Sequence, residues 1–135
     1  MISEIIEIME RRAAMRSKFD EQLLELNKEM IEMGNKIVQS IKNAIEALIA
    51  RDEKMARAIM EGDVEIDHLQ KKIEGICFNL LIQQQPVVRD LRNVTAALKM
   101  VTDMERIGDH AADISEMTIL MGQGSQMHFA EGGGH

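Results

Sequence analysis

Three acids at intervals of four, Glu105, Asp109 and Asp113, stand in the stretch Met104-Glu105-Arg106-Ile107-Gly108-Asp109-His110-Ala111-Ala112-Asp113. On an α-helix each step of four advances about 40° around the axis, so the three carboxylates line one side within roughly 80°. Like charges at i and i+4 repel, each pair costing on the order of 0.2–0.5 kcal/mol when nothing neutralises them. A stripe that carries this cost twice points to a cation. Divalent or trivalent metal ions that take several oxygen ligands at once are the natural candidates, with iron, zinc, manganese and magnesium all eligible. A second pair with the same spacing, Asp63 and Asp67, directly follows Gly62. The bland alternative is solvated surface charge, with the acids paired to Arg106 or to lysines of neighbouring helices.

Other chemistry is thinner. His110 points about 100° away from Asp109, which places it outside the acid stripe. Glu65-Ile66-Asp67-His68 has the Glu-x-x-His spacing that carboxylate-bridged di-iron bundles use twice, together with two further glutamates. Here it occurs once, so a ferritin-like metal oxidase is the weaker reading. Asp103 and Glu116 read as solvated. Arg89, Asp90 and Arg92 stand together, with the arginines reaching over a bundle end and Asp90 favouring a helix N-terminus. Thr102 and Ser115 have no matching base at a recognisable spacing, and no Gly-rich phosphate loop is visible. The expectation is a protein that is not an enzyme.

The elements that must position these acids are helices. The 135 residues contain three Phe, no Tyr and no Trp, with twelve Met and many Leu, Ile and Ala filling the apolar positions. That mix favours helix over strand, and one core is all this length supports. The fold class is all-α. Phe19, Leu23, Leu26, Met30, Met33, Ile37, Ile41, Ala44 and Leu48 step by fours and threes, marking a first helix from Met15 with a continuous bundle-facing stripe. Asp52 is the expected N-cap of a second helix running from about Glu53 to Gln84, with its seam on Met55, Ile59, Ile66, Leu69, Ile73, Ile76 and Leu80. Pro86 opens a third helix that runs to about Met121 and is closed by Gly122-Gln123-Gly124-Ser125. Short connections make this an antiparallel up-down-up three-helix bundle over 15–121. Residues 1–14 form an N-terminal extension of helical rhythm, and 122–135 read as a flexible Gly-rich tail.

In the third helix Leu91, Val94, Leu98 and Val101 keep a 3-4-3 spacing, and the same rhythm next reaches Glu105, Gly108 and Ala112. Glu105 therefore occupies a slot where a bundle would ordinarily place Leu. Met104, Ile107, Ala111 and Ile114 form a second apolar stripe on roughly the opposite side. Antiparallel packing should also bring Asp63, early in the second helix, to the height of Asp109, late in the third. The second stripe exceeds what a lone three-helix bundle needs to cover, so a homodimer or larger assembly is expected.

A net charge of −7 excludes an ordinary nucleic-acid partner, which would need a dense basic face. The single Cys77 rules out an internal disulfide, fits a reducing compartment, and reads as a buried, inert thiol. No stretch approaches the roughly 20 apolar residues of a membrane span, and the first residues lack a secretory pattern. A cytoplasmic location without membrane insertion is expected.

Gln83-Gln84-Gln85-Pro86-Val87-Val88-Arg89-Asp90-Leu91-Arg92 followed by Glu105-Arg106-Ile107-Gly108-Asp109-His110-Ala111 resembles the PhoU family, as does Met15-Arg16-Ser17-Lys18-Phe19. The resemblance implies a three-helix repeat carrying a Glu/Asp-x-x-x-Asp motif at which metal ions bind. It also implies an accessory regulator that restrains the phosphate ABC transporter, through contacts including its ATPase, and the phosphate-sensing histidine kinase. Family members usually carry two such repeats, whereas this sequence contains one copy of each motif. A helical adaptor that binds no metal is the remaining alternative.

Overall fold

The computed structural model of the chain describes residues 1–83 and 87–133, with side chains through Gly124. Three helices make up the fold: α1 (Ile2–Ala50), α2 (Glu53–Ile82) and α3 (Val88–Gly133). Ion pairs give their directions. Lys36 meets Glu65 and, seven residues earlier on α1, Glu29 meets Lys72 seven residues later on α2, so these helices run antiparallel. Arg16 near the start of α1 reaches Asp90 near the start of α3, and Gly34 lies beside the Met104 methyl, so α1 and α3 run parallel. The arrangement is the up-down-up bundle that the periodicity predicts.

The turn between α1 and α2 is two residues long and is built from local physics. Arg51 adopts the left-handed conformation (φ 54°, ψ 42°). Its N–H donates to Leu48 O, and the Asp52 N–H donates to Ala47 O, which closes the last turn of α1. Asp52 is extended, and its carboxylate accepts from Met55 N at 3.0 Å, the N-cap predicted for it.

Two boundaries differ from the sequence pattern. The extension 1–14 is one piece with α1, because Ala13-Ala14-Met15 offers nothing that would interrupt a helix. The stop predicted at Gly122–Ser125 is absent, and α3 continues to Gly133. A glycine ends a helix when it turns left-handed, and no described glycine has positive φ. The expected tail 122–135 thus begins inside α3, while residues 134–135 lie outside the described residues. The first helical turn assigned to Pro86 also falls outside them, as 84–86 are not described, and α3 starts at Val88.

Packing divides the bundle into two halves. Around the middle and towards the start of α1, large side chains fill the core: Phe19, Leu26, Met33, Ile73, Leu80 and Val101 are all buried, with Cys77 among them. Burial pushes the Cys77 thiol pKa up, in line with an inert role. Towards the α1–α2 turn most buried positions are small, Ala44, Ala47, Ala56, Ala111 and Ser115, with Ile119 the large side chain among them. The Ser115 hydroxyl donates to Ala111 O at 2.8 Å and that of Thr118 to Ile114 O at 3.1 Å, so both are satisfied within their own helix. Small side chains let the helices approach closely. A Cβ on Gly108 would stand 3.5 Å from Ile37 and 3.7 Å from Ile66, in contact with both neighbouring helices at once.

The bundle covers only part of the second apolar stripe of α3. Ala111 is buried and Met104 half-buried, but Ile107 is exposed. Packing passes along Val101, Gly108, Ala111 and Ser115 instead, because α1 and α2 meet at the glycine.

Candidate functional site

Gly108 fixes the geometry of the acid stripe. With that residue pressed between Ile37 and Ile66, Glu105 and Asp109 on either side of it are carried to the edge of the core, facing α2. Glu105 is half-buried, and its carboxylate accepts from Gln70 Nε2 of α2 at 2.5 Å. Gln70 follows Asp67 by three residues and Asp63 by seven, so all three share one face of α2. Asp63 and Asp67 are half-buried, whereas Asp109 and Asp113 are exposed. The two predicted acid groups, Asp63 and Asp67 on α2 and Glu105, Asp109 and Asp113 on α3, thus lie along the seam between these helices, all within electrostatic reach of Asp63.

Electrostatics reports the same convergence. The Asp63 carboxyl is pushed above the usual carboxylate range, first by burial and then by Asp67, Asp109, Glu105 and Asp113. Among the described residues none of the five is in an ion pair. The ion pairs present are Arg11–Glu7, Arg16–Asp20, Arg16–Asp90, Lys36–Glu65 and Lys72–Glu29, all elsewhere. The charge is therefore concentrated and unneutralised by protein. Five oxygen donors with no sulfur or imidazole suit a hard cation. As the side chains stand, no three described His, Cys, Asp or Glu residues converge closely enough to hold one. Gathering ligands would require rotamer changes, which the exposed Asp109 and Asp113 can make freely.

A raised pKa has a definite consequence for stability. Folded Asp63 holds its proton to higher pH than the unfolded chain does, so its contribution to stability falls as pH rises through that window. Asp63→Asn is expected to raise the melting temperature of metal-free protein at neutral pH. The advantage should vanish once pH falls below the ordinary carboxylate range, where both states are protonated. A thermal melt at neutral pH in which wild type is the more stable form would contradict this. Asp90 behaves in the opposite sense. The Arg16 guanidinium, at 2.5 Å, holds its carboxyl below the usual range, so its contribution is present at neutral pH and is lost as pH falls through the lowered value.

Several other candidates separate from the groove. His68 is exposed on the α1 side of α2, beside Glu32, Lys36 and Lys72, and Lys36 is paired to Glu65. The Glu-x-x-His spacing therefore does not join the carboxylates. His110, Asp103 and Glu116 are exposed. The Thr102 hydroxyl donates to Leu98 O, like Ser115 to its own helix, and neither approaches a base. Two features escaped the sequence pattern. Gln70 touches Glu105 and was findable by its place three residues after Asp67. The buried Asp90 joins Arg16 across 74 positions and has no local signal.

The family model described as "PhoU domain" matches residues 30–118, which include the whole acid groove. This chain belongs to the PhoU family. A phosphate-specific transport system accessory protein PhoU homologue from Clostridium acetobutylicum is 44% identical over 75% of this chain and 47% of its own length. A homologue of the same description from a Burkholderia species is 35% identical over 86% of this chain and 50% of its own. The crystal structure of PhoU from Pseudomonas aeruginosa superimposes with a TM-score of 0.74 at 30% identity, covering 76% of this chain and 49% of that one. This PhoU-family chain spans about half the length of the curated relatives it matches. No described helix is long and apolar enough to cross a membrane.

Proposed function

We propose that this chain acts in the cytoplasm as a non-enzymatic regulator of phosphate uptake and phosphate signalling. It would work by contact with the ATPase of a phosphate ABC transporter and with a phosphate-sensing histidine kinase. What supports the phosphate role is the naming of its relatives as accessory proteins of phosphate-specific transport. A metal ion held among Glu105, Asp109, Asp113, Asp67 and Asp63 completes the reading, with iron, zinc, manganese or magnesium eligible. The observation that carries it is the groove of five carboxylates without a single lysine or arginine ion pair among the described residues. A bound cation would offset the repulsion among these carboxylates and present a neutralised helix face to a partner. Self-association as a homodimer also belongs to this reading.

Elemental analysis of protein purified without chelator tests the metal site. Native protein is expected to carry ion in a defined ratio and Glu105→Ala/Asp109→Ala to lose it. Equal metal content in both would remove the site. Co-purification of the transporter ATPase with native protein, and its loss in the double variant, would connect the groove to transport.

A further inference from the structure

The groove of acids lies between α2 and α3, and the side of the molecule formed by α1 and α3 has the reverse character. On α1, Leu24, Ile31, Val38 and Ile45 follow one another at intervals of seven and are between 45% and 71% exposed. On α3, Met100, Ile107 and Met121 are 45–55% exposed and lie in the same seven-residue register, with half-buried Ile114 completing it. A repeat of seven keeps an apolar seam facing one partner helix along a left-handed supercoil. These side chains sit outside the three-helix core, so the rhythm describes packing that the bundle itself does not provide.

We propose that this α1/α3 face docks a second copy of the chain, helix against helix, about a two-fold axis that sets α1 of each copy antiparallel to α3 of the other. The proposal rests on the self-association given above and names its surface. Area favours a specific contact over scattered surface exposure. At on the order of 100 Å² of exposed apolar surface per side chain, the face offers roughly 700–800 Å², about what one partner contributes to a standard interface and more than a typical monomer leaves open. Antiparallel order is favoured by the helix ends. α1 extends 14 residues beyond the level of the Arg16–Asp90 pair with Ile2, Ile5, Ile6 and Met9 exposed, and α3 extends 11 residues beyond Gly122, which stands against Glu53. A lone overhang of that length is marginal in water. Opposed copies lay each overhang of α1 along the partner's overhang of α3.

The test is sedimentation or light scattering of the full 135-residue chain across the micromolar range, with circular dichroism as the folding control. Native protein should be dimeric. Ile31→Lys/Ile107→Lys should weaken dimerisation by at least about 100-fold with helicity unchanged, because each interface would bury four unpaired charges. Should that pair lose helicity, Leu24→Gln/Met100→Gln provides a milder probe expected to act in the same direction. A dimer that survives both variants overturns this surface while leaving self-association standing. A native monomer throughout the micromolar range overturns both and leaves the face to a helical segment from outside this chain.

Discussion

Ile73→Ala is expected to cost about 3–4 kcal/mol of unfolding free energy, within the range of large-to-alanine changes in well-packed cores. Ile73 has no exposed surface and stands in the cluster that joins all three helices through Met33, Leu80 and Val101. Its neighbours come from separate rods, each held by its own backbone hydrogen bonds, so the site cannot collapse onto the missing volume. For a domain of this size the melting temperature should fall by roughly 10–15 °C. Urea titration at fixed protein concentration checks the free energy, with concentration held constant because self-association contributes to apparent stability. Ile82→Ala serves as the contrast. That side chain is largely exposed, and its loss should stay within about 0.5 kcal/mol. Equal costs for the two would mean that the core is not where the structure places it.

The second large effect concerns the groove. On the proposed metal reading, an ion present at about 100 times its dissociation constant should add roughly 2.7 kcal/mol to stability. Chelation should therefore lower the melting temperature of native protein by about 8–10 °C. Glu105→Ala/Asp109→Ala should melt at the same temperature with and without chelator. Without metal, the double variant should lie within about 1 kcal/mol of native protein, since truncation removes repelling charges and gives up only the Gln70–Glu105 hydrogen bond. This combination separates a ligand role from a structural one. A pair of acids needed for packing would destabilise the bundle in both conditions. A chelator shift of equal size in the double variant would move the ion elsewhere.

Much of the site was legible in the residues because helical geometry is local. The i, i+4 spacing of Glu105, Asp109 and Asp113 and the matched pair Asp63 and Asp67 place carboxylates on defined faces before any packing is known. Antiparallel order then brings the two groups to one height. Where the pattern misled, the missing information was tertiary. The rhythm alone does not say which part of the second stripe of α3 joins the core, and Ile107 stays outside it because Gly108 admits α1 and α2 at the adjacent position. Gly122 and Gly124 read as a stop, but a glycine permits a helix to end without requiring it.

Composition, period and capping chemistry determined by themselves that the chain is all-α, that Asp52 starts its second helix, and that five acids occupy two helical faces. Each of these depends on residues within a turn or two of one another, where backbone hydrogen bonding and side-chain direction leave few choices. Only the tertiary structure decided that Gln70 caps Glu105, that Asp90 is buried against Arg16, and that a heptad stripe on α1 lies open beside another on α3. Those outcomes depend on how three rods rotate about their own axes when they pack. That rotation is set by the summed volumes of many side chains, above all the absent one at Gly108, and no short stretch of sequence contains it.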